Sequence, residues 1–243
     1  MAQIFTSNTC FDAWFAVSNM LLENGASDNL LIEIEDPCNY DNLNDWISSY
    51  SPSLITGNKQ HQINNIINTI FPYKLALRTV DRKDLYSKYN SIYLRSRGMR
   101  NQRWGTYFSR LINFPQNARP GASTNQLENS IIALNGNARS RNYITFHLTA
   151  VNIESNIRPI GAPCWQFGEI AKGNSGELNL IAVYRNHDYF YKAFGNFIGL
   201  SKLLQYICEQ TNCEPGKLII HSTHAYHELS KSKLRDLIGG GFV

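Results

Sequence analysis

Residues 162–196, APCWQFGEIAKGNSGELNLIAVYRNHDYFYKAFGN, decide the fold. Cys164 follows Pro163 at the mouth of one apolar stretch, a polar Gly-rich turn spans 172–176, and a second apolar run covers 178–183. Arg185-Asn186-His187-Asp188 closes that run, and Gly195-Asn196 follows. Two apolar runs separated by a turn read as strands over 165–170 and 178–184. Outward from there, residues 197–210 carry Ile198, Ser201, Leu204, Ile207 and Cys208 at the spacing of one buried helical face. Further strands are predicted over 142–149 and 217–223.

Upstream, Asn125 caps a predicted helix over 125–134, Glu128 completes a capping-box spacing, and Gly136 ends it. Residues 62–71 place Ile63, Ile66, Ile67 and Ile70 on one face before Pro72. A first helix over 11–23 runs from a Thr9 cap to Gly25, with Phe11, Phe15, Ser18, Leu21 and Leu22 as its apolar face. A strand over 30–35 stops at Asp36-Pro37. The pattern over 73–90 is mixed and assigns no element. Helices and strands are thus mixed along the chain, which predicts an α/β (α+β) class.

At 243 residues the chain fits one domain, expected to span 1–243, with a core of useful size. Its 43% hydrophobic and 17% charged residues are those of a globular protein, and 23 Lys+Arg against 19 Asp+Glu points to no particular partner. No basic segment precedes an apolar one at the start, and no run approaches the roughly 18 apolar residues of a membrane span. No membrane association and a cytoplasmic location are therefore expected. Five scattered cysteines (Cys10, Cys38, Cys164, Cys208, Cys213) suggest reduced thiols rather than a disulfide framework.

Two stretches invite other chemistries. Arg95, Arg97, Arg100, Arg103 and Arg110 interleave with Trp104, Tyr107 and Phe108, a pattern that suits stacking on RNA or a solvated basic loop at an enzyme rim. The modest net charge favours the rim. Cys208, Cys213, His221, His224 and His227 offer ligands for zinc, but strand alternation puts His221 and His227 on one side and His224 on the other, so no metal site is expected.

Cys164 is the candidate nucleophile: a thiol held at the end of a rigid element, beside a cation, gains thiolate character. By itself a cysteine among apolar residues also reads as a small buried hydrophobe. Arg185 is a fixed cation able to fork onto a phosphate, and Asp188 can orient its neighbours. Asn196 offers the donor and acceptor that match the 4-oxo and 3-NH groups of a uracil edge. It also reads as the N-cap of a helix starting at Phe197.

In this order, Pro163-Cys164, Arg185-x-x-Asp188, Asn196, Gly216 and His224-Ala225-Tyr226, the chain resembles the thymidylate synthase and pyrimidine nucleotide hydroxymethylase family over about its last half, 126–226. The resemblance implies a mixed β-sheet covered by helices, with one sheet face at a homodimer interface. It implies transfer of a one-carbon unit from 5,10-methylenetetrahydrofolate to carbon 5 of a uridylate, dUMP to dTMP in type, with hydroxymethylation or a non-catalytic nucleotide binder as alternatives. Cys164 would add to carbon 6, Arg185 would hold the phosphate, Asp188 would order the site, Asn196 would select the base, and His224 and Tyr226 would reach the sugar hydroxyl. Arg141, in Ser140-Arg141, would cross the dimer to the partner's phosphate, and Tyr107 would assist proton removal from carbon 5. The family's proton-relaying glutamate has no matching motif; Glu33, Glu35, Asp41 and Asp45 are the acidic residues considered for its place.

Overall fold

Thr9 and Gly25 bracket the first helix through their own chemistry. The Thr9 hydroxyl accepts from the Asp12 amide at 3.2 Å, and the Asp12 carboxylate accepts from the Thr9 amide at 3.3 Å, so two orphan donors are satisfied reciprocally. Gly25 leaves the helix at φ +79°, a conformation glycine adopts without a Cβ penalty. The computed structural model describes residues 2–41, 60–97, 105–115, 122–136, 144–149 and 163–227. Helix α1 is Cys10–Asn24. Its deepest residues are Cys10, Ala13, Trp14, Val17, Ser18 and Leu21, so the buried face is turned from the expected one, and Phe11, Phe15 and Leu22 sit at its margin. Trp14 fixes that rotation by donating its indole N–H to the Tyr189 carbonyl at 2.9 Å.

Helices α2 (Gln60–Ile70), α3 (Tyr73–Ala76) and α4 (Arg82–Arg97) follow. The segment 73–90, unassigned from its sequence, is therefore mostly helical. Helix α5 (Tyr107–Ile112) precedes a short ribbon of β3 (Phe114–Pro115) and β4 (Ser123–Thr124), and α6 is Gln126–Asn135. Asn125 caps α6 as expected, accepting from the Glu128 amide at 2.9 Å. The Glu128 carboxylate instead takes both arms of Arg82, at 2.9 and 3.0 Å, and the Tyr86 hydroxyl at 3.0 Å. A charge-assisted fork onto α4 outcompetes a neutral backbone amide for the same carboxylate.

Strands β1 (Gln3–Ser7) and β2 (Ala26–Ile34) pair in parallel; β5 (Ile144–His147), β6 (Trp165–Lys172), β7 (Leu178–Tyr184), β8 (His187–Asp188) and β9 (Pro215–Tyr226) complete the main sheet. Among the described residues its order is β1-β2-β9-β7-β6-β5, with β8 beside β9. This is a mixed sheet of an α+β protein. β7 runs parallel to β9, so their carboxyl ends share one edge, and antiparallel β6 starts there.

One face of the sheet is the core. Leu178, Leu180, Ala182 and Tyr184 of β7 and Leu218, Ile220 and Ser222 of β9 are buried against it, and each aliphatic side chain so placed contributes about 1.5–3 kcal/mol. On the other face Leu31, Phe167, Ile181, Val183 and Ile219 are half-buried, and Ile4 is 69% exposed.

The long helix α7 (Phe194–Thr211) buries the predicted face, Ile198, Ser201, Leu204, Ile207 and Cys208. It begins three residues early, continuing a π-helical turn at Tyr189–Ala193. Gly195 and Gly199 let α2 approach α7: a Cβ at Gly195 would stand 2.8 Å from Ile66 Cγ2, and one at Gly199 3.0 Å from Ile70 Cβ. All five cysteines are free. No helix among the described residues is long and apolar enough to cross a membrane.

Candidate active site

The residues singled out around Cys164 meet where β6 begins and β7 ends. The Arg185 amide donates to the Cys164 carbonyl at 2.9 Å, and Arg185 Nε donates to the Pro163 carbonyl at 3.2 Å. One backbone and one side-chain hydrogen bond thereby join Arg185 to the Pro163-Cys164 backbone. Cys164 is half-buried at the edge of the core, neither sealed in as a core hydrophobe nor fully in solvent.

Tyr107 reaches the same point from α5. A Thr106 cap, reciprocated by the Ser109 side chain, sets the first turn of that helix, and Thr106 Oγ1 lies 2.5 Å from the Tyr89 hydroxyl. The Tyr107 hydroxyl accepts the Trp165 amide at 3.2 Å. Burial, then the nearby Cys164, raises the phenol's pKa above its ordinary range, so Tyr107 offers a hydroxyl and not a phenolate at neutral pH.

Trp165 packs edge-on to Tyr107 and parallel to Tyr184, with its indole N–H on the Phe167 carbonyl at 2.8 Å. Gly168 makes room for it, since a Cβ there would come 2.9 Å from Trp165 Cζ2. The Tyr184 hydroxyl is fully buried and has no hydrogen-bond partner among the described residues. Burial raises its pKa far above the usual value, and the adjacent Tyr107 and Cys164 add to the effect. An unsatisfied buried hydroxyl costs about 1–3 kcal/mol, and such groups need an explanation beyond stability.

Beyond Tyr184 the site continues through His187. The two rings stack face to face, 4.1 Å between centroids at 2°. His187 is 1% exposed, with Nδ1 2.8 Å from Ser222 Oγ and Nε2 3.1 Å from Asn196 Nδ2. Desolvation lowers its pKa to about 3, with Lys192 adding repulsion, so the ring is neutral.

Asn196 is not a helix cap. The backbone is already helical before it, and Asp188 caps the π turn instead, its Oδ1 accepting from the Tyr191 amide at 3.1 Å. The Asn196 side chain, 5% exposed, is left for His187.

Asp188 pairs in register with Tyr226, and His187 with Ala225, which brings the end of β9 to this edge. His224 and Tyr226 lie on one side of β9, their rings 5.7 Å apart and near parallel, and His224 Nδ1 is 2.7 Å from Asp28 Oδ1. Arg141 and Asp45 lie outside the described residues. Glu33 and Glu35 both pair with Lys217, at 2.7 and 2.9 Å, on the β2–β9 ladder, so neither joins this cluster. Asp41 is exposed in the turn after β2, its amide bonded to Asn39 Oδ1.

The Arg-rich stretch divides. Arg110 is 4% exposed and donates Nε to the Leu148 carbonyl, while Tyr107 and Phe108 are core residues, so these three face neither solvent nor RNA. Arg100, Arg103 and Trp104 lie outside the described residues. Sequence reasoning missed Tyr184, His187 and Ser222. The available signal was a histidine at the end of the apolar run 178–183, nine residues before Asn196.

No protein-family model matches the chain. Over 66 residues it is 33% identical to a protein named "Putative thymidylate synthase" from Methanosarcina barkeri (strain Fusaro / DSM 804). The match covers 26% of this chain and 30% of that relative, so the chain spans less than a third of its length. The similarity is to part of a protein so named and does not by itself place the chain in a family.

Proposed function

We propose that the protein transfers a one-carbon unit from 5,10-methylenetetrahydrofolate to carbon 5 of a uridylate, dUMP to dTMP in type, through a covalent adduct on Cys164. The observation that carries this reading is the pair of hydrogen bonds that tie Arg185 to the Pro163-Cys164 backbone, with the Tyr107 hydroxyl on the next residue's amide. Sulfur adds to carbon 6, the ring electrons move to O4 as an enolate, and carbon 5 becomes the nucleophile. Asn196 supplies an N–H to that oxyanion. Arg185 and Arg141 are assigned to phosphate, His224 and Tyr226 to the sugar, and Asp188 to holding the π turn that carries the site's far wall. The folate is a co-substrate consumed in each turnover.

A homodimer suits this assignment. The half-buried apolar face of Leu31, Phe167, Ile181, Val183 and Ile219 would be covered by a second copy, with Arg141 crossing to the partner's site. Sedimentation at micromolar concentration should give twice the chain mass.

The deciding experiment mixes the protein with 5-fluoro-deoxyuridylate and methylenetetrahydrofolate and weighs the intact protein. A ternary adduct, absent in Cys164→Ala, is expected. Nucleotide binding without an adduct would replace this reading with a non-catalytic binder, and no binding would remove it. Product mass from dUMP separates methyl from hydroxymethyl transfer.

A further inference from the structure

Helix α5 has 6 residues, well short of the roughly 12 that let a helix persist by its own hydrogen bonds. Its direction is therefore set by what fastens its ends. The first turn carries Tyr107, whose hydroxyl stands on the Trp165 amide, one position past Cys164. Burial keeps that phenol protonated, so Tyr107 acts through where its hydroxyl stands and not through charge.

Thr106 closes the turn. Its Oγ1 accepts the Ser109 amide at 3.0 Å, and the Thr106 amide donates to Ser109 Oγ at 3.1 Å. Both bonds are internal to the turn. A tie from outside comes from Tyr89 on α4, whose hydroxyl lies 2.5 Å from Thr106 Oγ1. Whichever hydroxyl donates, the bond joins the same two atoms, so the brace does not depend on that choice. Tyr89 is itself held: it is buried, its ring meets Phe108 edge-on at 4.6 Å, and it lies parallel to Tyr93 at 5.9 Å. Gly105, at φ +88°, lets the chain pass close to α4, since a Cβ there would stand 2.5 Å from the Tyr93 hydroxyl. Past the other end of α5, Asn113 Nδ2 donates to Asn90 Oδ1 at 2.7 Å. Consecutive residues of α4 thus grip α5 at both ends.

We propose that Tyr89 is a positioning residue for the reaction at Cys164: by holding the Thr106 cap, its hydroxyl sets where the Tyr107 hydroxyl stands. The path runs from Tyr89 to Thr106 Oγ1, through the first turn of α5 to the Tyr107 hydroxyl, and on to the Trp165 amide at 3.2 Å. The consequence for the reaction rests on the proposed function, in which Tyr107 assists proton removal from carbon 5. The positional link does not.

Tyr89→Phe tests it, because the variant loses the hydroxyl and keeps the ring that packs on Phe108. In protein labelled with nitrogen-15 at tryptophan, Trp165 is assigned by its loss in Trp165→Phe. Its amide should shift in Tyr89→Phe in the direction it shifts in Tyr107→Phe, while the Trp14 amide stays in place. A Trp165 amide unmoved by Tyr89→Phe overturns the proposal whatever the protein binds. Tritium release from carbon 5 of labelled dUMP, with methylenetetrahydrofolate present, should then be about tenfold slower in Tyr89→Phe, the size of one hydrogen bond. The dissociation constant for dUMP by calorimetry should stay within about twofold. Release at the wild-type rate overturns the role of Tyr89 and leaves the proposed function standing, as does slower release matched by an equal rise in the dissociation constant. A wild type that releases no tritium removes the proposed function, and the role of Tyr89 in the reaction with it.

Discussion

Acid should destabilise this protein in a way that one side chain explains. His187 is 1% exposed, and burial lowers its pKa from 6.5 to about 3. Between those values the unfolded chain binds a proton that the native protein does not. Stability from this group is therefore complete above pH 6.5 and is lost as pH falls toward 3. The slope within the window is about 1.4 kcal/mol per pH unit, and from pH 7.5 to pH 5 the loss is about 2 kcal/mol. Urea unfolding at both values, for wild type and His187→Gln, isolates the effect because the other histidines are common to both. The variant starts less stable at pH 7.5, having lost a ring packed between Tyr184 and Phe197, but its drop on acidification should be smaller by about 2 kcal/mol. Equal drops in the two proteins would refute the claim that a neutral buried imidazole links β8 to α7.

Other perturbations test the packing. Gly199→Ala should destabilise by about 1–3 kcal/mol, because its Cβ meets Ile70 Cβ at 3.0 Å and the Ile67 carbonyl at 3.2 Å; an unchanged urea midpoint would show that α2 yields without cost. Gly168→Ala should displace the Trp165 ring, changing the near-ultraviolet circular dichroism while the far-ultraviolet spectrum holds, and a silent substitution would contradict the 2.9 Å approach. Glu128→Gln should lower stability by up to about 1 kcal/mol, less in high salt, since the Arg82 fork is partly solvated; a loss that salt leaves unchanged would argue against the ion pair. Cys164→Ser should leave the unfolding midpoint nearly unchanged while abolishing the fluoropyrimidine adduct, separating the thiol's chemistry from its modest packing.

Local chemistry is readable in order along the chain, and that is what the sequence by itself determined. Thr9 and Gly25, Asn125 and Gly136, and the apolar spacing of α2 and α7 announce helices because caps and periodicity act over a few residues. The apolar run after the Gly-rich turn announces β7 for the same reason, and the mixed helix and strand content sets the α+β class. Arg82–Arg97 was not readable: its buried residues, Leu85 and Tyr89, are sparse among polar ones, and the helix is stabilised partly by the Arg82–Glu128 fork across 46 positions. Glu128 and Asn196 mark the limit most clearly. Each sits at a capping position in sequence, and each gives its side chain to a distant partner, because the polar groups that compete for a carboxylate or an amide are chosen by packing. The strand order, the edge where Cys164, Arg185 and Tyr107 meet, and the Ser222–His187–Asn196 chain follow from burial across the whole sheet. Only the tertiary structure decided them, since a buried polar group takes whichever partner the folded chain brings within reach.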